Sequence, residues 1–296
     1  MPRHFLDLNQ ISPSDLRIII DGAKRLKNAP VKEPLLQGKT LAMLFEKPST
    51  RTRFSFDVGM KQLGGHAIVT NQNDMQLGRG EPLSDTAKVL SRYVDVIMLR
   101  SLYHERVIAL AEHATIPVIN GLTDKSHPCQ IMADILTIEE HRGTITGKKI
   151  AWIGDVNNVC VSFIHAAIAF DFTLHIACPV SLQTLSKPYQ DHKNIVLTTD
   201  ITTAATGADV IVTDTWISMG CPDEAAQIQA LTSYQVNSAV MSLAKSDVIF
   251  LHCLPAVRGQ EVTPEVIDGA HAVVWDEAEN RLHAQKAILL WCLGKL

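Results

Sequence analysis

The chain has 296 residues, of which 46% are apolar, and this length favours two domains with large cores. Its formal charge of −4 provides no basic surface for a nucleic acid, and no apolar run reaches the roughly 20 residues of a membrane span. The start of the chain lacks the apolar core of a signal peptide, and the six cysteines stand singly, without CxxC pairs. We therefore expect a cytoplasmic protein without nucleic-acid or membrane partners.

Short apolar runs alternate along the chain with longer segments of helical spacing. Strands that alternate with helices indicate crossover connections and parallel sheets, so the predicted fold class is α/β. The predicted strands are residues 40–45, 66–70, 94–99, 148–153, 173–177, 209–213, 247–252 and 272–275.

A boundary between two halves is predicted at residues 142–147 (RGTITG). Before it, residues 127–141 repeat apolar side chains at helical spacing, and after it KKIAWIGD begins a new buried strand. We therefore predict two α/β halves, residues 1–142 and 143–278, joined by a helix. The last segment, residues 279–296, is again helical, but its spacing alone does not say which half it packs on.

The segment 46–54 (EKPSTRTRF) places three hydroxyl and two guanidinium groups directly after the first predicted strand. A Ser or Thr that follows Pro48 can cap a helix, and the glycines at 64–65 can end it. The alternating apolar residues over 54–60 would also suit a strand, but the caps and the length favour a helix. Such a helix N-terminus favours an anion, and Arg51 adds a fork suited to phosphate oxygens. The alternative is a capped helix with solvated arginines.

Other polar motifs also lie at or near predicted strand and helix ends. By itself, each of them is explained as well by packing, capping or solvation as by function. GDVNN lacks the GxGxxG fingerprint, which argues against a dinucleotide-dependent oxidoreductase. HCLP has no cysteine or histidine nearby at zinc-ligand spacing, so we expect neither a metal nor another cofactor. The motifs are Arg100 in MLR, His127 in HPCQ, Asn157 and Asn158 in GDVNN, Asp214 in DTWISMG and Cys253 in HCLP.

Taken in order, EKPSTRTRF, LGRGE, MLR, HPCQ, GDVNN, DTWISMG, HCLP and ENR resemble the motifs of the carbamoyltransferase family over essentially the whole chain. SMG together with HCLP is similar to the ornithine branch of this family, whereas the aspartate branch typically has Pro in place of Cys253. One departure, Cys160-Val161 after GDVNNV, leaves the Asn pair intact. The alternatives are a family member acting on an acylated ornithine or putrescine, and a non-catalytic binding protein of the same fold.

The resemblance implies two doubly wound parallel-sheet domains joined by helices, with the C-terminal helix returning to the first domain. It implies transfer of the carbamoyl group from carbamoyl phosphate to the δ-amine of L-ornithine, giving citrulline and phosphate, in arginine biosynthesis. The first half with the last helix is then the carbamoyl-phosphate-binding domain, and residues 143–278 are the ornithine-binding domain.

The resemblance also implies the residues that contact each substrate. Cys253, Arg100 and His127 are the implied catalytic residues, and Asp214 and Cys253 lie near the amino groups of ornithine, where they either assist deprotonation or position the amine. The implied carbamoyl-phosphate site contains Ser49, Thr50, Arg51, Thr52, Gln76, Arg100, His127, Gln130, Cys253, Leu254 and Arg281. The implied ornithine site contains Asn158, Asp214, Ser218 and Met219.

A cyclic homotrimer with shared active sites is a further implication of the resemblance. In it, the loop 74–81 (DMQLGRGE) enters the neighbouring subunit's site, where Gln76 contacts carbamoyl phosphate. From its residues alone, this loop is a solvated polar loop.

Overall fold

This computed structural model describes residues 2–29, 33–71, 80–217 and 221–296. The chain divides into a first unit, Met1–Leu136 with Glu279–Leu296, and a second unit, Thr137–Ala278. The predicted return of the C-terminal helix to the first unit is therefore confirmed. Within the described residues, no helix is both long enough and apolar enough to cross a membrane.

The first unit is built on a four-stranded parallel sheet in the order β2-β1-β3-β4. The strands are β1 (Thr40–Phe45), β2 (His66–Asn71), β3 (Val96–Arg100) and β4 (Val118–Leu122). The helices are α1 (Pro13–Asn28), α2 (Thr50–Gln62), α3 (Leu83–Leu90), α4 (His104–His113), the first part of α5 (Pro128–Arg142) and the last part of α12 (Val274–Cys292).

The second unit is built on a five-stranded parallel sheet in the order β7-β6-β5-β8-β9. The strands are β5 (Lys149–Ile153), β6 (Thr173–Ala177), β7 (Ile195–Thr198), β8 (Val210–Thr213) and β9 (Ile249–His252). The helices, besides the ends of α5 and α12, are α6 (Asn158–Phe170), α7 (Lys187–Gln190), α8 (Ile201–Ala205), α9 (Glu224–Leu231), α10 (Ser238–Met241) and α11 (Pro264–Ile267).

The helix predicted after the first strand is α2, so the helical interpretation of this segment is confirmed. Ser49 caps it, because its hydroxyl accepts a hydrogen bond from the backbone N–H of Thr52. Gly64 follows the last turn with a φ of +82°, a conformation that glycine adopts without strain. Phe56 and Met60 are buried on the inner face of the helix, whereas Phe54 is exposed.

One predicted strand is wrong and two strands were not predicted. Of residues 272–275, only Ala272 makes an isolated bridge, to Phe250, and α12 begins at Val274. The apolar run AVVW suits a strand equally well, but the acidic residues that follow it favour a helix N-terminus. β4 (VINGL) was missed because Asn and Gly interrupt its apolar run, and β7 because it is a short edge strand of mixed burial.

Each sheet has a point where its strand order reverses. In the first unit, β2 lies on one side of β1 whereas β3 and β4 lie on the other; in the second unit, β6 and β7 lie on one side of β5 whereas β8 and β9 lie on the other. Open α/β sheets bind ligands beyond the carboxyl ends of the strands at such a switch point. Ligand-binding residues are therefore expected after β1 and β3 in the first unit, and after β5 and β8 in the second.

Candidate active site

At the first switch point, the N-terminus of α2 follows β1 and Arg100 ends β3. Thr50 and Arg51 form the first turn of this 13-residue helix, and Thr52 is only 1% exposed. The four residues of STRT thus stand where backbone N–H groups and the helix dipole favour an anion.

Arg281 connects three helices of the first unit. From α12, its guanidinium donates to the side-chain oxygen of Gln130 on α5 at 2.6 Å and to the hydroxyl of Thr52 on α2 at 3.1 Å. The amide of Gln130 in turn donates to Asp134 at 2.8 Å. All four side chains are buried, so these contacts hold the guanidinium in a fixed place.

His127 lies directly before α5 and is 4% exposed. Burial lowers the pKa of its imidazole well below 6.5, and the positive charges of Arg281, Arg100 and Arg51 lower it further. The ring is therefore neutral at physiological pH. A neutral imidazole has one N–H to donate and one nitrogen that accepts, so it can donate to a carbonyl oxygen without adding charge.

Glu46 bridges the ends of β1 and β3, and it was not among the predicted site residues. Its backbone N–H donates to the carbonyl of Arg100 at 2.9 Å, and its carboxylate accepts from the Ser101 hydroxyl at 2.5 Å and from Arg106 Nε at 2.7 Å. These contacts connect the loop before α2 to the residue that ends β3. The sequence places Glu46 in EKPSTRTRF but gives no sign of its partners.

At the second switch point, Asn157 uses both ends of its side chain. Its Oδ1 accepts from the N–H groups of Val159 and Cys160, both at 3.0 Å, and so caps α6. Its Nδ2 donates to Asp214 Oδ2 at 2.9 Å. Asn157 therefore caps α6 and at the same time donates to a carboxylate of the neighbouring strand end.

Asp214 is buried after β8 and accepts three hydrogen bonds. Besides the bond from Asn157, its Oδ1 accepts from the N–H of Thr215 at 2.7 Å and from the Cys253 thiol at 3.0 Å. Nearby Asp155 accepts from Gln227 at 3.1 Å. Burial raises the pKa of Asp155 to about 7, and the negative charge of Asp214 contributes to the rise.

The HCLP loop is held by a buried His–Glu pair. His252 Nδ1 accepts from the N–H of Leu254 at 2.9 Å, so Nε2 carries the proton and faces Glu261 Oε1 at 3.3 Å. Leu254 adopts a φ of +56°, an uncommon conformation for a branched residue.

Asp214, His252 and Cys253 offer ligand atoms within 4.8 Å of one another, close enough to hold a metal ion. Both nitrogens of His252 already make hydrogen bonds, however, and the Cys253 thiol donates to Asp214. These three side chains thus have hydrogen-bond partners without an ion, and the absence of a metal stays a prediction.

The structure brings the predicted site residues together at the two switch points. In the first unit they are Ser49, Thr50, Arg51, Thr52, Arg100, His127, Gln130 and Arg281; in the second they are Asn158, Asp214, Cys253 and Leu254. Gln76, Ser218 and Met219 lie outside the described residues. The prediction missed Glu46, Arg106 and Asp155, whose contacts join residues far apart in the chain, and Glu261, which faces His252.

Two family models match the chain. Residues 3–140 match the carbamoyl-P binding domain, and residues 146–292 the Asp/Orn binding domain, of aspartate/ornithine carbamoyltransferase. An ornithine carbamoyltransferase of Nitrobacter winogradskyi is 58% identical, over 99% of this chain and 98% of that protein.

Solved structures agree with these matches. The ornithine carbamoyltransferase from Pyrococcus furiosus is similar with a TM-score of 0.94 and 45% identity, covering 100% of this chain and 98% of that one. The anabolic ornithine carbamoyltransferase from Campylobacter jejuni is similar with a TM-score of 0.93 and 39% identity, covering 99% and 100% of the two chains.

Proposed function

We propose that this chain, which belongs to the aspartate/ornithine carbamoyltransferase family, transfers the carbamoyl group of carbamoyl phosphate to the δ-amine of L-ornithine. The products are L-citrulline and phosphate, and the reaction serves arginine biosynthesis. Full-length likeness to proteins named ornithine carbamoyltransferase, one of them called anabolic, supports both the activity and its direction.

The observation that carries the choice of ornithine is the opposite charge of the two switch points. Guanidinium groups surround His127 in the first unit, whereas the second unit presents the carboxyl groups of Asp155 and Asp214. A phosphate anion fits the first set, and a diamino acid with two ammonium groups fits the second. Aspartate, the alternative substrate of the family, would bring a second carboxylate to a site that already holds two carboxyl groups.

In this proposal, the first unit binds carbamoyl phosphate. The backbone N–H groups and hydroxyls at the start of α2 hold the phosphate, and Arg51 and Arg100 balance its charge. A bidentate guanidinium suits phosphate oxygens better than an ammonium point charge does. The proposed residues are Ser49, Thr50, Arg51, Thr52, Arg100, His127, Gln130 and Arg281, with Gln76, Cys253 and Leu254.

Negative charge grows on the carbamoyl oxygen as the amine attacks the carbonyl carbon. Neutral His127 can donate a hydrogen bond to that oxygen, and Arg281, held by Gln130 and Thr52, adds a fixed positive charge. Donors that are fixed before the reaction stabilise the transition state more than the ground state. This is the role we assign to His127, together with Arg100.

The second unit binds ornithine in this proposal, through Asn158, Asp214, Ser218 and Met219. An alkyl ammonium has a pKa of roughly 10, so one proton must leave the amine before it attacks. The new C–N bond then forms as the C–O bond to phosphate breaks, and the departing phosphate accepts a second amine proton. Asp214 attracts the ammonium, and the Cys253 thiol donates a hydrogen bond to Oδ1 of that carboxylate.

Citrulline formation with a panel of amines tests the activity. With carbamoyl phosphate as donor, kcat/KM for L-ornithine should exceed that for putrescine, N-acetyl-ornithine or L-aspartate by about 100-fold or more, because each analogue leaves a buried polar partner unpaired or repelled. Equal rates with putrescine and ornithine would contradict the assignment.

We further propose that residues 1–142 with the last helix form the carbamoyl-phosphate domain and residues 143–278 the ornithine domain. Free cysteines at all six positions suit the reducing cytoplasm, which is the location we propose.

A homotrimer with shared sites is the assembly that we propose. In the first unit, the edge strand β2 leaves Ile68 53% exposed, and α2, which contacts β2, leaves Phe54 63% exposed. An open strand edge with exposed apolar side chains favours association with another chain. A heterologous ring would let each site draw its pocket from one chain and the loop 74–81 from the next.

Mixed refolding tests the shared site. One variant carries Arg51→Ala, and the other carries Gln76→Ala with Arg79→Ala and must be nearly inactive alone. Random mixing makes about three-quarters of the trimers mixed, and each mixed trimer has one site with both parts intact, so about a quarter of all sites should regain activity. A mixture no more active than its parents would contradict the shared site.

A further inference from the structure

The side chain of Asn157 has its amide orientation fixed by its surroundings. Oδ1 accepts two backbone N–H groups at the start of α6, and Nδ2 donates to Asp214 Oδ2. A flipped amide would place its NH₂ against two N–H donors and its oxygen against a carboxylate. With the side chain only 9% exposed, water offers little relief, so a single orientation is stable.

The hydrogen bond from Asn157 joins the two central strands of the second sheet at their carboxyl ends. Asn157 follows β5, Asp214 follows β8, and Cys253 follows β9. Asn157 holds one oxygen of the carboxylate, and Thr215 N–H and the Cys253 thiol hold the other. Removing the contact to Oδ2 would leave Asp214 held at Oδ1 alone and its second oxygen without the donor of Asn157.

The negative charge of Asp155 makes the hydrogen bond from Asn157 to Asp214 more important. Asp155, two residues before Asn157, lies close enough to Asp214 for their negative charges to repel. The N–H donor of Asn157 at Oδ2 offsets that repulsion by placing partial positive charge beside the Asp214 carboxylate. An aspartate at position 157 could cap α6 equally well but would place another carboxylate against Asp214.

We propose that Asn157 is the positioning residue for Asp214: by holding Oδ2, it points the carboxylate at the ammonium group of ornithine and sets the affinity for that substrate. The inference rests on the proposed function and adds to it a residue that does not itself touch the substrate. Its action is confined to the ornithine side of the reaction, because the contacts of Asn157 all lie within the second unit.

Two variants separate capping from positioning. Asn157→Ser keeps a cap residue but is too short to reach Asp214, and Asn157→Asp keeps the cap but turns the donor into an acceptor. Asn237→Ser is the matched control, because Asn237 caps α10 by accepting from Val240 N–H at 3.1 Å. Steady-state kinetics with each substrate varied in turn, and thermal melting, are measured for all of them.

Asn157→Ser should raise KM for ornithine by about 10- to 100-fold, the loss expected for one hydrogen bond to a charged group, and Asn157→Asp should raise it further. KM for carbamoyl phosphate should change less than about twofold in both, and Asn237→Ser should leave all kinetic constants near the wild type. Asn157→Ser should melt somewhat below Asn237→Ser, since both replace an Asn cap by Ser but only Asn157→Ser also loses a buried hydrogen bond to a carboxylate.

An unchanged KM for ornithine in Asn157→Ser would overturn the inference and leave Asn157 a helix cap. An equal loss for both substrates with a lowered melting temperature would also overturn it, in favour of general destabilisation. Absence of citrulline formation by the wild type would instead refute the proposed function, so the two failures are distinguishable.

Discussion

In both units, charged side chains lie at the carboxyl ends of the parallel strands, but the charges are of opposite sign. At the first switch point, Arg51, Arg100 and Arg281 surround a neutral His127, whereas at the second Asp155 and Asp214 repel one another. Parallel strands and their loops specify where a ligand binds in both cases, but they do not specify its charge. The side chains at the strand ends therefore make one unit suited to an anion and the other to a cation.

The residue that connects neighbouring strand ends also differs in charge between the two units. In the cationic unit the bridge is the carboxylate of Glu46, neutralised by Arg106. In the anionic unit it is the neutral amide of Asn157, which donates to Asp214. A carboxylate in the second position would add repulsion, so each bridge has the chemistry that its neighbours allow.

Removing a cation from the first unit should have the largest effect. Arg51→Ala should lower kcat/KM by about 100-fold, because a charge-assisted contact to phosphate is lost. Lys61→Ala is the control on the same helix, since Lys61 is exposed and pairs only with Asp57 among the described contacts. The circular dichroism spectra of both should match the wild type. A loss below threefold would make Arg51 a solvated cap residue.

Removing the anion from the second unit should act on the other substrate. Asp214→Asn should raise KM for ornithine by about 10- to 100-fold while KM for carbamoyl phosphate changes little, because in the proposed site the lost charge faces the ammonium groups of ornithine. Asp200→Asn makes the same charge change at the cap of α8 in the same unit and should be kinetically silent. An equal rise in KM for both substrates would contradict the proposal that the second unit alone binds the ammonium groups.

Weakening the Glu46 contact should affect the KM for carbamoyl phosphate, just as loss of the Asn157 contact should affect the KM for ornithine. Glu46→Gln should raise KM for carbamoyl phosphate by about 10-fold, because the loop before α2 loses its ionic contact with Arg106, and KM for ornithine should stay within about twofold. Lys39→Ala is the control, since it breaks an ion pair with Asp95 at the amino end of the same sheet. If Lys39→Ala has the same kinetic effect, Glu46 acts only through general stability.

The sequence predicted the central strands of both sheets, but not the hydrogen bonds between residues at their carboxyl ends. β1 and β5 are apolar runs followed by polar motifs, and such runs are visible without a structure. β4 is different: its Asn120 donates to Leu6 O and Ser126, partners supplied only by the folded chain. Tertiary hydrogen bonds therefore make a strand of a segment whose composition disfavours one.

The same limit applies to the site. Asn157 and Asp214 are 57 residues apart, and Glu46 and Arg106 are 60 apart. Glu46, Asn157 and Asp214 each stood inside a recognisable motif, yet pairing across such separations depends on strand order, which the pattern of apolar runs does not contain. Motifs thus located the residues, whereas only the parallel topology could show which of them bridge.

Asp155 in the second unit and His127 in the first should make stability depend on pH in opposite directions. The pKa of Asp155 is raised from 3.8 to about 7, so the folded protein binds a proton that the unfolded chain releases between these values. Stability from this group is therefore lost as pH rises across that window. Asp155→Asn should melt a few degrees above the wild type at pH 8 and close to it at pH 4, by differential scanning fluorimetry. A constant difference at both pH values would refute the assignment.

The contribution of His127 to pH-dependent stability should be smaller than that of Asp155 and opposite in sign. Its pKa is lowered below 6.5 by burial and by three guanidinium groups, so below that pH the unfolded chain takes up a proton that the folded protein resists. Stability from the neutral imidazole is therefore present above pH 6.5 and lost as pH falls. His127→Gln removes the titrating group, so between pH 7.5 and pH 5 its melting temperature should fall less than that of the wild type. If His127→Gln and the wild type fall in parallel, the imidazole is not held neutral by its arginine neighbours, and the contrast between a cationic and an anionic switch point loses its support on the cationic side.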